Sequence, residues 1–380
     1  MGHRLELSTK RPCVDTSGAS LHYFHRMRRS MSVMPKSIRK ILLLAVGVCV
    51  CSVALSAEPT TANSLLFDPR PWCIGRLLFD RPTASEIANQ RYEFRGDKLD
   101  TQYDVSLVTY RAKIDARERE LRTKKRIDLG NENREMDHSW LEKSFSPVKN
   151  SQVLVYRGIE AGGIPMLFDS DGYVYGNNTL FHMTGRIGST AIDRAEEIYG
   201  NTVSRIKQRD NWTVPTESGF CFDGGIVTGS STYTEEVSQS FMLMPGRPAL
   251  LVIQMRESVE PDQKETLAKT LPELRAQVNR LPGHYRILRK GKRTIAEMNA
   301  EEVLFQVREG DIISYQFYLL APGDPSTLAK PHTSIQLLLG TTSFNPNLTP
   351  DLATSPVDEA GALQVWDTLL NSLRLRPGAV

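Results

Sequence analysis

The sequence predicts an α+β protein of two similar domains, each an antiparallel sheet packed with helices. Three observations predict it. The order strands, helix, antiparallel meander, helix occurs twice along the chain. Each occurrence opens on a cysteine-bearing strand, Trp72-Cys73-Ile74-Gly75 and Phe220-Cys221-Phe222. The chain has 380 residues, 40% hydrophobic and 24% charged, enough to bury a core and to make two domains. That composition excludes disorder throughout, a collagen-like repeat and a polytopic membrane protein. The expected bounds are 1–57 for a leader, 66–213 for the first domain and 217–376 for the second.

Charge is uneven. Nine of the 47 Lys and Arg, but only two of the 44 acids, fall within residues 1–57, so the formal +3 of the whole chain becomes about −4 beyond them. A nucleic-acid footprint therefore has no support. Lys36, Arg39 and Lys40 precede an apolar run over 41–55, and small residues follow at 54–57. This is the pattern of a secretory signal peptide cleaved near Ser56, and the run is shorter than the roughly 20 residues a spanning helix needs. The start is expected at Met31 or Met34. A retained inner-membrane anchor is the alternative. After cleavage only Cys73 and Cys221 remain. In an oxidising compartment two such cysteines are expected to pair, and two buried free thiols are the alternative.

The elements follow in order. Residues 73–79 read as a strand ended by Asp80-Arg81-Pro82, and 92–94 as a second. A helix is expected from about Thr101, because Leu107, Tyr110, Ile114 and Leu121 share one face. Its densely charged end, 117–126, reads as a solvated face. Residues 128–146 read as a loop with Trp140 as its largest apolar residue. After a strand at 153–156, segments 164–168 and 173–175 flank Asp169-Ser170-Asp171-Gly172, a hairpin turn signal. A strand at 180–183 follows. Thr190 and Asp193 make a capping-box variant before a helix with Ile192, Ala195, Ile198, Val203 and Ile206 as its stripe. Residues 212–219 read as a linker.

The second half begins with a strand over 220–226. Strands at 240–244 and 249–255 flank the turn Pro245-Gly246-Arg247-Pro248. A helix over 261–280 carries Leu267, Leu271, Leu274 and Val278 on one face, with a kink at Pro272. A meander spans 284–289, 293–297, 303–308, 312–320 and 334–339, with Lys290-Gly291-Lys292 and Glu309-Gly310-Asp311 as turns. The last helix is expected to start with Ser355 as N-cap, Pro356 next and Asp358 in its first turn. Leu363, Trp366, Leu370 and Leu373 form its buried face.

No chemistry-bearing signature emerges. Gly-x-Ser-x-Gly and His-Glu-x-x-His are missing from the sequence, and so is Cys-x-x-Cys after cleavage. His138, His182, His284 and His332 lie far apart and read as structural or solvated. Gly291-Lys292-Arg293-Thr294 matches the end of a phosphate loop, but Arg286 stands where that loop needs glycine. Asp169-Ser170-Asp171-Gly172 matches the start of a calcium loop, but its twelfth position is Leu180. Asn177, Asn211 and Asn347 begin glycosylation sequons by pattern. The expectation is an exported binder with no enzymatic activity, no metal, no cofactor, no small-molecule substrate and no nucleic-acid partner.

Two stretches carry a resemblance. Residues 72–82, Trp-Cys-Ile-Gly-Arg-Leu-Leu-Phe-Asp-Arg-Pro, and residues 219–225, Gly-Phe-Cys-Phe-Asp-Gly-Gly, are similar to the motifs that open the two domains of one family of bacterial immunity proteins. The resemblance covers about residues 66–376. Arg81 departs from it, since an apolar residue is expected there. It implies a periplasmic inhibitor that clamps a lipase effector of the type VI secretion system and blocks its active site or lid. It also implies structural roles for Cys73, Gly75, Arg76, Cys221, Asp223 and Gly224. Partner recognition should then fall on loops that vary without unfolding the cores. The candidate contact residues are Trp140 in the charged segment 117–143, Asp169 and Asp171 in the turn 169–172, and Arg247 in the turn 245–248. For Trp140 the competing reading is a cover over the long helix's apolar face. The competing function is a periplasmic binding or scaffold protein for envelope components.

Overall fold

The computed structural model describes residues 63–128, 134–158, 160–161, 164–230, 234–267, 269, 284–341 and 348–380. The leader, with Lys36, Arg39 and Lys40, lies outside these residues. So do Asn347 and most of the expected helix over 261–280, with Leu271, Pro272, Leu274 and Val278.

Gly75 produces the first departure from expectation. It turns the chain at φ +58°, a left-handed conformation that costs other residues roughly 1–2 kcal/mol. In place of one strand over 73–79 there is a hairpin of β1 (Pro69–Ile74) and β2 (Leu77–Pro82), and Asp80-Arg81-Pro82 lies inside β2. β3 (Glu86–Phe94) and β4 (Asp97–Gln102) form the next hairpin. Thr101 is therefore a strand residue. α1 (Leu107–Thr123) starts later, where the Ser106 hydroxyl accepts the Thr109 N–H. β5 (Lys125–Asp128) follows α1, and the expected loop over 128–146 holds two strands, β6 (Arg134–Ser139) and β7 (Leu141–Phe145).

After β8 (Ser151–Arg157) and the short pair β9 (Glu160–Ala161) and β10 (Ile164–Pro165), β11 (Leu167–Gly176) runs straight through Asp169-Ser170-Asp171-Gly172. The turn to β12 (Thr179–Gly188) is instead Asn177-Asn178, at φ +42° and +60°. A two-residue hairpin demands such angles, and asparagine tolerates them. A 3-10 segment (Ser189–Arg194) without a side-chain cap leads into α2 (Ala195–Arg205), so Thr190 does not cap it. β13 (Ile206–Gln208) follows.

The second half repeats the first correction. β14 (Gly219–Phe222) and β15 (Gly225–Thr228) are a hairpin where one strand was expected, with Gly224 at φ +67°. β16 (Glu235–Met242) and β17 (Ala249–Arg256) flank the expected turn. β18 (His284–Ile295) continues through Lys290-Gly291-Lys292 and turns at Ala296-Glu297, both at positive φ, into β19 (Met298–Glu309). β20 (Ile312–Ala321) and β21 (His332–Leu339) complete the meander. A short α3 (Pro350–Ala353) precedes α4 (Glu359–Ser372). Its N-cap is Asp358 rather than Ser355, because the Asp358 carboxylate accepts the Gly361 N–H at 2.8 Å. Trp366, Leu370 and Leu373 are buried as expected, and β22 (Arg374–Leu375) ends the fold.

Twelve strands make one antiparallel sheet in the order β18-β19-β20-β21-β17-β16-β3-β4-β12-β11-β8-β7. The architecture is α+β, but the two expected sheets are joined at the β3–β16 seam. Pairing there covers two edges that would otherwise offer unpaired backbone groups. Outward from the seam, each half lays down its six strands in the same order of appearance.

A second layer packs on the inner face of this sheet, and its hairpins are exchanged. The β1–β2 hairpin from the start of the chain packs on the second half. Phe79 and Trp72 meet Phe241 of β16 edge-on, with centroids at 5.2 and 6.3 Å, and β2 pairs with β22. The β14–β15 hairpin packs on the first half. Phe222 meets Phe181 at 5.2 Å, Phe220 lies 6.1 Å from Phe94, and β15 pairs with β13. Each such buried ring contributes about 1.5–3 kcal/mol. The Cys73–Cys221 disulfide joins the two exchanged hairpins, with Cα atoms 5.9 Å apart.

Candidate partner-binding site

The six motif residues build the junction of the halves. Beside the disulfide, the Gly75 N–H donates to the Cys221 carbonyl at 3.1 Å, and the Cys221 N–H donates back at 2.7 Å. The Arg76 guanidinium, 4% exposed, makes two bonds of 2.7 and 2.8 Å to Glu235 and donates to the Ala379 carbonyl. Burial pushes the Glu235 carboxyl up, and Arg76 pulls it partway back. The Asp223 carboxylate accepts from Tyr103 Oη at 2.6 Å, Asn211 Nδ2 at 2.7 Å and Gln90 Nε2 at 2.8 Å. Burial, and then the bond to Asp223, push the Tyr103 hydroxyl well up. Gly224 sits at φ +67°, and a Cβ there would lie 2.7 Å from that hydroxyl, so any other residue is strained and must displace Tyr103. Cys73, Cys221, Arg76 and Asp223 are buried and hold the two hairpins in place.

Arg81 occupies the slot where the motif led us to expect an apolar residue. It is 6% exposed, and its guanidinium carbon lies 4.3 Å from the Trp72 ring centroid, 4.9 Å from Trp212 and 5.1 Å from Phe241. The planar guanidinium stacks as a flat apolar group would, while Nε satisfies the Ser85 hydroxyl at 2.8 Å. Burial lowers its pKa to about 10.

The four candidate contact residues do not converge. Asp171 lies within β11, not in a turn, and is 5% exposed. Its carboxylate accepts from Arg117 Nε at 2.8 Å and pairs with His182 Nε2 at 3.1 Å. Burial pushes this carboxyl up, but the bonds from His182 and Arg117 outweigh it and hold it below the usual range. Asp169, on the same strand, pairs with Arg186 at 2.9 Å. Trp140 is half-buried in a satellite cluster with Tyr110, Ile114 and Leu121 of α1, and the Lys124 ammonium lies 5.8 Å from its ring. Arg247 is half-buried at the β16–β17 turn and donates to the Thr354 carbonyl at 3.2 Å. Cross-strand register puts Asp169 toward the sheet end marked by Phe94, and Arg247 beyond the opposite end, marked by Glu86 and Met242.

The geometry shows a surface that the motif search missed. On the outer face of the sheet, α1 covers Leu154, Tyr173 and Leu180 of the first half, and Leu267 covers Val303 and Phe305 of the second. Between these flanks, rows of half-buried or exposed polar side chains cross β16, β17 and β21: Ser238–Gln254–Ser334 and Glu236–Arg256–His332. They line a groove of about 190 Å³. Burial alternates strictly along β16, but the sequence shows this only in part, since Val237 and Phe241 interleave with Glu236, Ser238 and Ser240 while the buried position between them is the polar Gln239. At one end, ligand atoms of Asp262, Glu265 and His332 lie within 4.8 Å of one another, the spacing of a cation site. Arg256 holds both Asp262 oxygens at 2.7 Å, which makes the group an ion-pair cluster.

Comparison with known proteins follows this division of the chain. Residues 70–216 match the family described as Tle cognate immunity protein 4 N-terminal domain, and residues 213–378 match its C-terminal domain. Two solved structures share the fold. The apo immunity protein TplEi of the type VI secretion system of Pseudomonas aeruginosa aligns with a TM-score of 0.68 at 22% identity, over 81% of this chain and 97% of its own. A chain of the Tle4–Tli4 complex aligns with a TM-score of 0.69 at 23% identity, over 81% and 98%. Among curated proteins none matches significantly in sequence. Fold and family together define an immunity protein, an inhibitor and not an enzyme. The chain belongs to the Tle cognate immunity protein 4 family.

Proposed function

We propose that this protein binds a cognate phospholipase effector of the type VI secretion system and inhibits it. The observation that carries this is the match of both halves, in order, to the two domains of one immunity family across residues 70–378. Two repeated units, 66–213 and 217–376, share one sheet and act as the arms of a clamp. The partner docks across the polar strip between the flanks and loses access to its active site, or the freedom to open its lid. The solved complex of the related Tle4 and Tli4 supports direct binding as the mode. Trp140, Asp169 and Arg247 remain the proposed contacts, as separate points at the rims. Asp171 acts from behind them by orienting Arg117.

The working compartment is the periplasm, reached by a leader cleaved near Ser56. A buried disulfide fits an oxidising compartment, and N-terminal sequencing should begin at about residue 57 or 58. The functional test starts from the neighbouring gene, which should encode a Gly-x-Ser-x-Gly lipase. Coexpression in the periplasm should protect the cell from that lipase. Gln254→Arg, on the exposed strip, should weaken binding at least tenfold without changing Tm. Protection lost with binding intact, or no binding at all, overturns the proposal.

A further inference from the structure

Two connections hold the halves at a fixed angle, one in each layer. In the sheet, β3 pairs with β16 along the seam, with a bulge at Ser240/Phe241 that lets the sheet bend there. In the inner layer, the hairpin resting on the second half is tied to the hairpin resting on the first by Cys73–Cys221. The tie is buried, with Cys73 3% and Cys221 0% exposed. Around it Arg209 spans both hairpins, donating to the Cys73 carbonyl at 3.4 Å and the Phe222 carbonyl at 3.2 Å. A hydrogen-bond chain then crosses the seam. Trp72 Nε1 donates to Gln239 Oε1 at 3.0 Å, Gln239 Nε2 to Gln90 Oε1 at 3.4 Å, and Gln90 Nε2 to Asp223 Oδ2 at 2.8 Å. Its two ends are the two disulfide-bearing hairpins. The remaining ties between the two hairpins are non-covalent, the paired backbone bonds of Gly75 and Cys221 and the packing of Leu78 on Ile226, so the disulfide is their one covalent link among the described residues.

We propose that this arrangement is a redox-gated lock: the clamp reaches its binding-competent geometry only once Cys73 and Cys221 are joined, and the reduced chain keeps its sheet while its halves move about the seam. Closure occurs by thiol–disulfide exchange with a donor disulfide. Each cysteine gives up one proton, the S–S bond forms, and two electrons pass to the donor, which leaves as a dithiol. A chain still in a reducing compartment is thereby a weak inhibitor, and oxidation completes it. Restricting the halves before the partner arrives lowers the ordering cost of binding. The lock rests on the proposed function only for its effect on the lipase, since its effect on the chain itself is measurable alone.

The test compares three forms of the protein from residue 58: oxidised, reduced with excess dithiothreitol, and Cys73→Ala/Cys221→Ala. Hydrogen exchange is followed peptide by peptide, and affinity is measured against the lipase encoded beside it. Loss of the bond should speed exchange in 69–82 and 219–228 at least tenfold while β11, β19 and β20 stay protected. It should weaken lipase binding at least tenfold, and reoxidation of the reduced wild type should restore both. Unchanged exchange in the two hairpins overturns the lock, and so does equal affinity of oxidised and reduced forms. An oxidised protein that binds no lipase overturns the proposed function instead, and the exchange data still decide the lock. If the double variant fails to fold, reversible reduction of the wild type decides between these outcomes.

Discussion

At Arg81 a charged side chain takes the place of an apolar one. Its guanidinium is sandwiched against Trp72, Trp212 and Phe241 and bonded to Ser85. The flat delocalised group can stack there, and a compact ammonium cannot. Arg81→Lys should therefore cost on the order of 2 kcal/mol, and Arg81→Met less, as read by denaturant melts. The reverse ranking would show that charge rather than shape matters at this site. Asp97 makes a second residue-scale case. It is 2% exposed beneath Gly185 and paired with Arg95 at 2.9 Å. Burial lifts its carboxyl to about 6, against the partial offset from Arg95. An acid whose folded pKa is raised stabilises the fold at low pH, and that stability is lost as pH rises through the folded value. Between pH 4 and 7 the wild type should lose about 1–3 kcal/mol through this group. Asp97→Asn should remove that slope and match the wild type near pH 4. An identical pH profile for the two proteins would contradict this.

At the scale of elements, the exchanged hairpins set the stability of the junction. Cys73 and Cys221 are 148 residues apart, a closure that contributes roughly 4–5 kcal/mol in the chain-entropy picture. Cys73→Ser and Cys221→Ser should destabilise equally, and the double variant should be no worse than either single one. Additive losses would mean two independent thiols. Arg376 secures the other end of the same layer. It is fully buried and donates to the carbonyls of Pro215, Glu217 and Gly219. Arg376→Met should cost on the order of 3 kcal/mol by leaving those carbonyls unpaired, and an unchanged melt would refute the tail's role. The hairpins also show where sequence reading stops. Their cysteines, glycines and apolar residues were legible, and so was the order of elements. The turn at Gly75 was not, because one glycine in an apolar run reads as strand until its φ is known; Asp223-Gly224 did carry a hairpin signal, which its apolar flanks masked. Asp169-Ser170-Asp171-Gly172 failed in the opposite sense. It carries turn residues, but Asp171 is claimed by Arg117 and His182 across the sheet, and the Asn177-Asn178 pair supplies the turn instead. The open strip was only partly legible in β16, because the buried Gln239 interrupts the apolar alternation, and no motif marks it.

Over the whole molecule, the exchange makes the halves interdependent. A fragment of 66–213 lacks the hairpin that packs on its own sheet, and 217–376 lacks Trp72 and Phe79. Neither should fold alone, and coexpression should restore a soluble complex. Independent folding of either fragment, seen as a cooperative melt, would count against the exchange. Such a body suits an inhibitor, since its core is fixed by the junction while the strip and rims remain free to differ between relatives. The most direct measurement is a titration of oxidised protein from residue 58 into the neighbouring lipase, with hydrolysis of phospholipid vesicles as the readout. Lipolysis should fall linearly and end at one equivalent of inhibitor, with a Kd in the nanomolar range or below. Undiminished lipolysis at a large molar excess would contradict the assignment.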